Sequence, residues 1–202
     1  IESLNLEGNF IFIVQKEHQE KYNINSVLKI LKPNCKIIEL DHITEGAACT
    51  TLLAKKFINT SNPLIIANSD QYIKWDSIKS MYNYNQKKID GSILTFEAIH
   101  PKWSYAKTDK NNFVTEVAEK KVISKNATVG VYYWKKGSDY VNCAETMIKK
   151  NIRVNNEFYV CPVYNEAIGE GKKIVIDKVS EMHGLGTPDD LKNFITKKNL
   201  TN

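Results

Sequence analysis

At 202 residues, with 42% apolar and 25% charged side chains, the chain is long enough to bury one substantial core, and a single globular unit is expected. Its net charge of +5 is scattered along the chain, in lysine pairs such as Lys55-Lys56, Lys87-Lys88 and Lys172-Lys173. Without a dense basic patch interleaved with aromatics this argues against a nucleic-acid binder and leaves small anionic ligands open. No apolar run reaches transmembrane length and no signal peptide is visible, which argues against a membrane partner. Cys35, Cys49, Cys143 and Cys161 form no C-x-x-C pair, and they read as buried thiols of a reduced cytoplasm.

In chain order, Ile1 to Leu6 looks like the tail of an element rather than a beginning. The apolar run Asn9–Val14 predicts a strand, a helix-like segment follows to about Leu31, and Lys36–Leu40 predicts the next strand. Asp41 to Gly46 is a polar loop that opens into small residues and a helix ending near Phe57. Pro63 to Ala67 is a short run of large apolar residues, which predicts a strand buried on both faces; it ends in Asn68-Ser69-Asp70. Strands alternating with helices at this spacing predict βαβ units and a mixed, mostly parallel central sheet flanked by helices.

Further on, a helix is expected over Asp76–Gln86, and strands over Gly91–Ala98, Trp103–Thr108, Phe113–Ala118 and Thr128–Trp134, with Asp109 to Asn112 as a hairpin turn. Gly137–Lys150 has helical apolar spacing. Glu157–Gly169 predicts another helix, interrupted by Pro162, and Lys172–Val179 an outer strand. Thr187 is placed to cap a last helix that starts at Pro188, carries acids in its first turn and runs to about Lys197.

Several of these residues could carry chemistry. Asp70 ends a strand, and ligands of open α/β sheets bind outside the carboxyl ends of the strands; a hard carboxylate oxygen there suits Mg²⁺ carrying nucleotide phosphates. The same tripeptide also reads as a plain turn or a cap for the following helix. Gly46, Ala47 and Ala48 would let a phosphate or a planar ligand approach a helix amino terminus, and they equally suit close packing of that helix on the sheet. Adjacent Glu119 and Lys120 could divide labour, the carboxylate accepting hydroxyl hydrogen bonds and the ammonium neutralising a phosphate, although Glu-Lys neighbours are common surface pairs. The scattered histidines and the absence of a G-x-S-x-G elbow speak against a nucleophilic protein mechanism.

Taken in order, these pieces resemble the sugar-phosphate nucleotidyltransferase family, which has a Rossmann-like fold of the GT-A type. The resemblance runs from the strand at Phe10 to the helix after Pro188. It implies that Asp41, Glu45, Gly46, Ala47 and Ala48 belong to the loop that holds the nucleotide base, and that Asp70 binds the catalytic Mg²⁺. Glu119-Lys120-Lys121 looks like the family's Glu-Lys-Pro, in which Glu contacts the sugar or alcohol and Lys its phosphate. Asn126 to Tyr132 looks like the next segment, with Asn126 and Gly130 near the substrate, and Gly186-Thr187-Pro188-Asp189-Asp190-Leu191 like the closing Gly-Thr-Pro-Glu-Asp-Leu.

Two departures stand out. The family's amino-terminal Gly-rich signature is absent, so the chain is expected to be one nucleotidyltransferase-like domain over residues 1–202 lacking its first strand and phosphate loop. The family often has an Asp two residues before the closing Gly-Thr, where this chain has Gly184, which leaves Glu157, Asp177 or Glu181 as candidate second ligands, or Asp70 alone with phosphates and water.

The resemblance implies transfer of a nucleoside monophosphate from a nucleoside triphosphate to a sugar phosphate or small alcohol phosphate, with release of pyrophosphate. A cytidylyl or related transfer for surface-polysaccharide precursors in a bacterial cytoplasm is the favoured version, and a homo-oligomer is compatible with it. The rivals are a GT-A glycosyltransferase, whose Asp-x-Asp would be Asn68-Ser69-Asp70, and a degenerate domain that only binds a nucleotide.

Overall fold

A computed structural model describes residues 2–199. Strand β1 (Ile11–Gln15) leads into helices α1 (Lys16–Tyr22) and α2 (Ile24–Leu31), and β2 (Lys36–Leu40) returns parallel to β1, with Ile11 opposite Lys36. The one helix expected here is broken at Asn23, whose φ of 49° is left-handed, a conformation asparagine tolerates better than most residues. The helix after Gly46 is likewise split, into α3 (Ala47–Leu52) and α4 (Lys55–Ile58), before β3 (Leu64–Ala67).

The remaining elements are β4 (Gln71–Lys74), α5 (Ser77–Gln86), β5 (Gly91–Glu97), β6 (Ser104–Thr108), β7 (Val114–Glu119), β8 (Asn126–Trp134), α6 (Gly137–Lys149), α7 (Val163–Gly169), β9 (Ile174–Lys178), β10 (Glu181–Gly184) and α8 (Pro188–Asn199). Pro162 interrupts nothing: it is the residue from which α7 starts.

Strand β8 is the axis of the main sheet, whose order is β7-β6-β8-β5-β9, with β3 also paired to β8. One edge of β8 belongs to β5 along its length, from Gly91 opposite Trp134 to Glu97 opposite Asn126. The other edge is shared end to end: β3 occupies Val131 to Trp134, and β6 meets the strand only at Ala127. Thr128, Val129 and Gly130 therefore face a gap in the sheet. The β5–β8 register jumps here, from Ile93–Tyr132 to Thr95–Thr128, and Gly130 at the jump has a φ of 72°, the mark of a bulge.

The sheet is mixed as expected, but it is not mostly parallel. Parallel pairing is confined to β1 with β2 and β5 with β9, because β8 runs against β3, β5 and β6 and so makes each of those pairs antiparallel. Among the described residues, the edge of β1 away from β2 and the edge of β3 away from β8 carry no strand.

Alternation along β8 fills both faces of the sheet. Tyr132 and Trp134 point to a core shared with α6 and α7, where Trp134 stacks on Tyr164 at 4.3 Å between ring centroids, while Val129, Val131 and Tyr133 pack with Ile73 and Tyr84 on the α5 side. Strand β3 divides the same way, Leu64 and Ile66 to one face and Ile65 to the other. Of the cysteines, Cys143 and Cys161 are buried thiols as expected, but Cys35 and Cys49 are only half-buried. Among the described residues no helix is long and apolar enough to cross a membrane.

Candidate functional site

The gap beside β8 opens into a cleft of about 470 Å³, to which Asp70, Glu119, Thr128, Gly130, Tyr159 and Asp190 all contribute. One wall is built where β3 ends. The chain turns through Asn68-Ser69-Asp70, with the Asn68 N–H donating to the Gly130 carbonyl (2.9 Å), and enters β4, which pairs with β10 so that Gln71 faces Gly184. The Asp70 carbonyl accepts from the Leu185 N–H (2.6 Å). Gly186 then passes so close that a Cβ on it would lie 3.0 Å from Asp70 Oδ2. The closing Gly-Thr-Pro motif thus supplies the small residue over which the carboxylate stands. Asp76, not Asp70, caps α5 by accepting from the Lys79 N–H (3.0 Å), and the Asp70 carboxylate makes no hydrogen bond among the described residues.

The opposite wall comes from the β6–β7 hairpin. Ser104 faces Glu119 across the hairpin and its hydroxyl donates to Oε2 of the carboxylate. Burial pushes the Glu119 carboxyl up, and the Ser104 hydroxyl and the Lys120 charge only partly offset it. Lys120 follows at a φ of 54°, a left-handed conformation that costs a lysine on the order of 1–3 kcal/mol and is characteristic of functional turns. Its ammonium donates to the Tyr159 hydroxyl (2.6 Å), which in turn donates to Glu157. Gly130 lines the cleft, where its lack of a side chain leaves room for Asn68: a Cβ would lie 2.4 Å from Asn68 Nδ2. Asn126 stands apart, its amide donating to the Ala106 carbonyl (3.2 Å).

The proposed base loop is distributed differently from the sequence expectation. Ala47 is exposed and lines the cleft. Ala48 is fully buried, and its N–H already donates to the Phe158 carbonyl (2.9 Å), so it is not available to an anion. Gly46 is small because of Phe158: a Cβ there would lie 2.6 Å from that residue's backbone N and O. Close packing accounts for these two positions. Asp41 is exposed beside His42, whose hydrogen bond holds its carboxyl below the usual range, and Glu45 pairs with Arg153.

None of the candidate second ligands joins Asp70. Asp177 Oδ2 accepts from Trp75 Nε1 (3.0 Å) and the Tyr84 hydroxyl (2.7 Å) and lines a separate cleft of about 500 Å³ beside α5. Glu181 sits at the far end of β10, opposite Lys74, paired with His183 at 2.7 Å. Glu157 is taken by Tyr159. At Gly184 the Trp103 ring, 4.0 Å from where a Cβ would be, faces the position. Besides Glu119 on the opposite wall, the cleft is lined by the Asp190 carboxylate, which accepts from the Thr187 hydroxyl (2.7 Å), while the Asp190 N–H donates to Thr187 Oγ1 (3.2 Å) and so caps α8. Among the described residues no group of three or more His, Cys, Asp or Glu side chains could hold a metal ion. Hard oxygen donors one or two at a time suit Mg²⁺ that keeps water and phosphate ligands.

The Glu119 environment sets a pH dependence. Its carboxyl is raised on folding, so the native state binds the proton more tightly than the unfolded chain, and the stability it contributes is complete at low pH and lost as pH rises through the raised value. Measured from about pH 4 to pH 7, Glu119→Gln should therefore gain stability over wild type as pH rises above the ordinary glutamate value near 4.3 and show no advantage below it. Denaturant midpoints of the two proteins across that range check the sign; a gain that grows toward low pH would contradict it.

No family model and no curated protein matches the sequence. Solved structures match the fold. A nucleoside-diphosphate-sugar pyrophosphorylase from Vibrio cholerae RC9 aligns with a TM-score of 0.79 over 94% of this chain and 81% of its own, at 23% identity. A UDP-glucose pyrophosphorylase complexed with UDP-glucose aligns with a TM-score of 0.73 over 98% and 83%, at 13% identity. The inositol-1-phosphate CTP transferase from T. maritima does so with a TM-score of 0.69 over 94% and 74%, at 13% identity.

Proposed function

For a chain that has the fold of the sugar-phosphate nucleotidyltransferases, we propose Mg²⁺-dependent transfer of a nucleoside monophosphate from a nucleoside triphosphate to a sugar phosphate or small alcohol phosphate. The observation that carries this is the cleft at the divided edge of β8, with Asp70 on one wall and Glu119, beside Lys120, on the other. An acceptor phosphate oxygen attacks the α-phosphorus, the bond to the bridging oxygen of the β-phosphate breaks, and pyrophosphate leaves. Such a displacement needs positioning and charge neutralisation more than a protein base.

Each residue then has a task. Asp70 would hold the cation, and Asp190 is a further carboxylate lining that cleft. Bound there, Mg²⁺ would neutralise phosphate charge. Lys120 holds the acceptor's phosphate, and Glu119 accepts from its hydroxyls. The gap left between β3 and β6 along Thr128 to Gly130 and the small Ala47 leave space for the ligands. The product would be an activated sugar or alcohol of the kind polysaccharide assembly consumes.

Pyrophosphate release from CTP, UTP, dTTP, GTP and ATP, with Mg²⁺ and a panel of sugar and alcohol phosphates, tests this. Release should depend on both substrates, and Lys120→Met should lower kcat/KM for the acceptor about 10–100-fold, the worth of a charge-assisted phosphate contact, while KM for the triphosphate changes far less. Consumption of a nucleotide sugar without any pyrophosphate release would move the assignment to a glycosyltransferase.

A further inference from the structure

Arg153 is the one arginine among the 28 basic residues, and it lies outside the cleft. All sides of its guanidinium are used. Nη2 donates to Glu45, Nε donates to Asn151 Oδ1 (2.6 Å), Nη1 donates to the Asn156 carbonyl (3.1 Å), and the group lies over the Phe158 ring at 4.0 Å from its centroid. Lysine, a point charge on a flexible stem, cannot make this planar set.

The turn it organises is left-handed at three positions, Asn151, Asn155 and Asn156, with φ of 53°, 47° and 65°, a conformation asparagine tolerates. Val154 and Glu157 close it with two backbone hydrogen bonds, and the guanidinium ties both of its ends to Glu45. Directly after the turn the backbone of Phe158 grips the 45–48 loop, its N–H donating to the Glu45 carbonyl (2.8 Å) and its carbonyl accepting from the Ala48 N–H (2.9 Å). The next residue, Tyr159, accepts from Lys120, and Glu157 before it accepts from Tyr159. One short segment thus touches the loop beside Ala47 with its backbone and the Lys120 ammonium with its side chains.

We propose that Arg153 is a positioning residue which, by clamping the 151–158 turn to Glu45, sets the nucleotide-side loop and the Lys120 arm in one arrangement, so that the two substrate halves of the cleft are coupled. This rests on the reaction assigned above for its kinetic consequence, and on the structure alone for the clamp.

The test is Arg153→Lys, which keeps the charge and removes the fork, together with Glu45→Gln and the double variant. Amide hydrogen exchange reads the clamp without any substrate: protection of the Ala48 and Phe158 amides should fall at least tenfold in Arg153→Lys, with protection in β8 and the melting temperature unchanged. In steady-state kinetics, KM for both triphosphate and acceptor should rise severalfold with kcat within about twofold, and the double variant should be no worse than the worse single one. Unaltered amide protection, or a loss that spreads evenly over β8 with a lower melting temperature, overturns the proposal. Lost protection confined to the two loops in a protein that releases no pyrophosphate would uphold the clamp and reject the reaction. A kcat loss with both KM values unchanged would overturn the coupling.

Discussion

Asp70→Ala should lower turnover by about a hundredfold or more, on the order of 3 kcal/mol of transition-state stabilisation, while the protein keeps its melting temperature. The carboxylate is exposed, bonds to nothing among the described residues, and stands at a strand end whose backbone contact to Leu185 survives the substitution. No packing or hydrogen bond is lost on folding, so an effect on rate alone is expected. Asp70→Asn separates charge from shape: it should resemble the alanine variant and raise the Mg²⁺ concentration needed for half-maximal rate. Wild-type turnover in either variant at saturating Mg²⁺ would remove Asp70 from the chemistry.

Gly46→Ala should be the more damaging change to the protein itself. Gly46 has φ of 125° and ψ of 173°, a region essentially restricted to glycine, and an added Cβ would lie 2.6 Å from the backbone of Phe158. Backbone cannot turn aside as a side-chain end can, and the segment that would have to move holds both the 45–48 loop and Tyr159. Backbone strain and overpacking together should cost about 3 kcal/mol or more, and for a chain of this size that is roughly 6–12 °C in melting temperature. Thermal unfolding measures it, and a drop of less than about 2 °C would mean that the Phe158 segment moves freely. Lost nucleotide affinity should accompany the drop, since Ala47 follows directly.

Local patterns were legible because they depend on neighbours in sequence. The apolar runs that become β1, β2, β3 and β8, the Asp109 to Asn112 turn, the Thr187 cap and the helical spacing of α6 are such patterns, and the structure has an element at each. The small β4–β10 ribbon was not legible, because its paired residues are 107 to 113 positions apart in the chain. The partner of Glu119 was nearly legible. A regular hairpin counted back from Thr108 opposite Val114 puts Ala118 across from Ser104, and a register shift between Lys107 and Thr108 puts Glu119 there instead. No sequence pattern near Lys120 announces Tyr159, which arrives from 39 residues away.

The sequence by itself determined that this is an α/β chain with an acidic strand end at Asp70 and an acid-base pair at Glu119-Lys120, and the order of its motifs implied the nucleotidyltransferase fold that the structure has. Tertiary structure alone decided that Asp70 and Glu119 line one cleft, at a gap where β3 and β6 divide one edge of β8, and that Lys120 reaches Tyr159. It also decided that Gly46 and Ala48 answer to Phe158, and that Asp190, not Asp177, Glu181 or Glu157, shares the cleft with Asp70. The reason is physical: which strand lies beside which, and which carboxylate is consumed by a neighbouring hydroxyl, are outcomes of long-range packing, and residue order near a site carries no record of them.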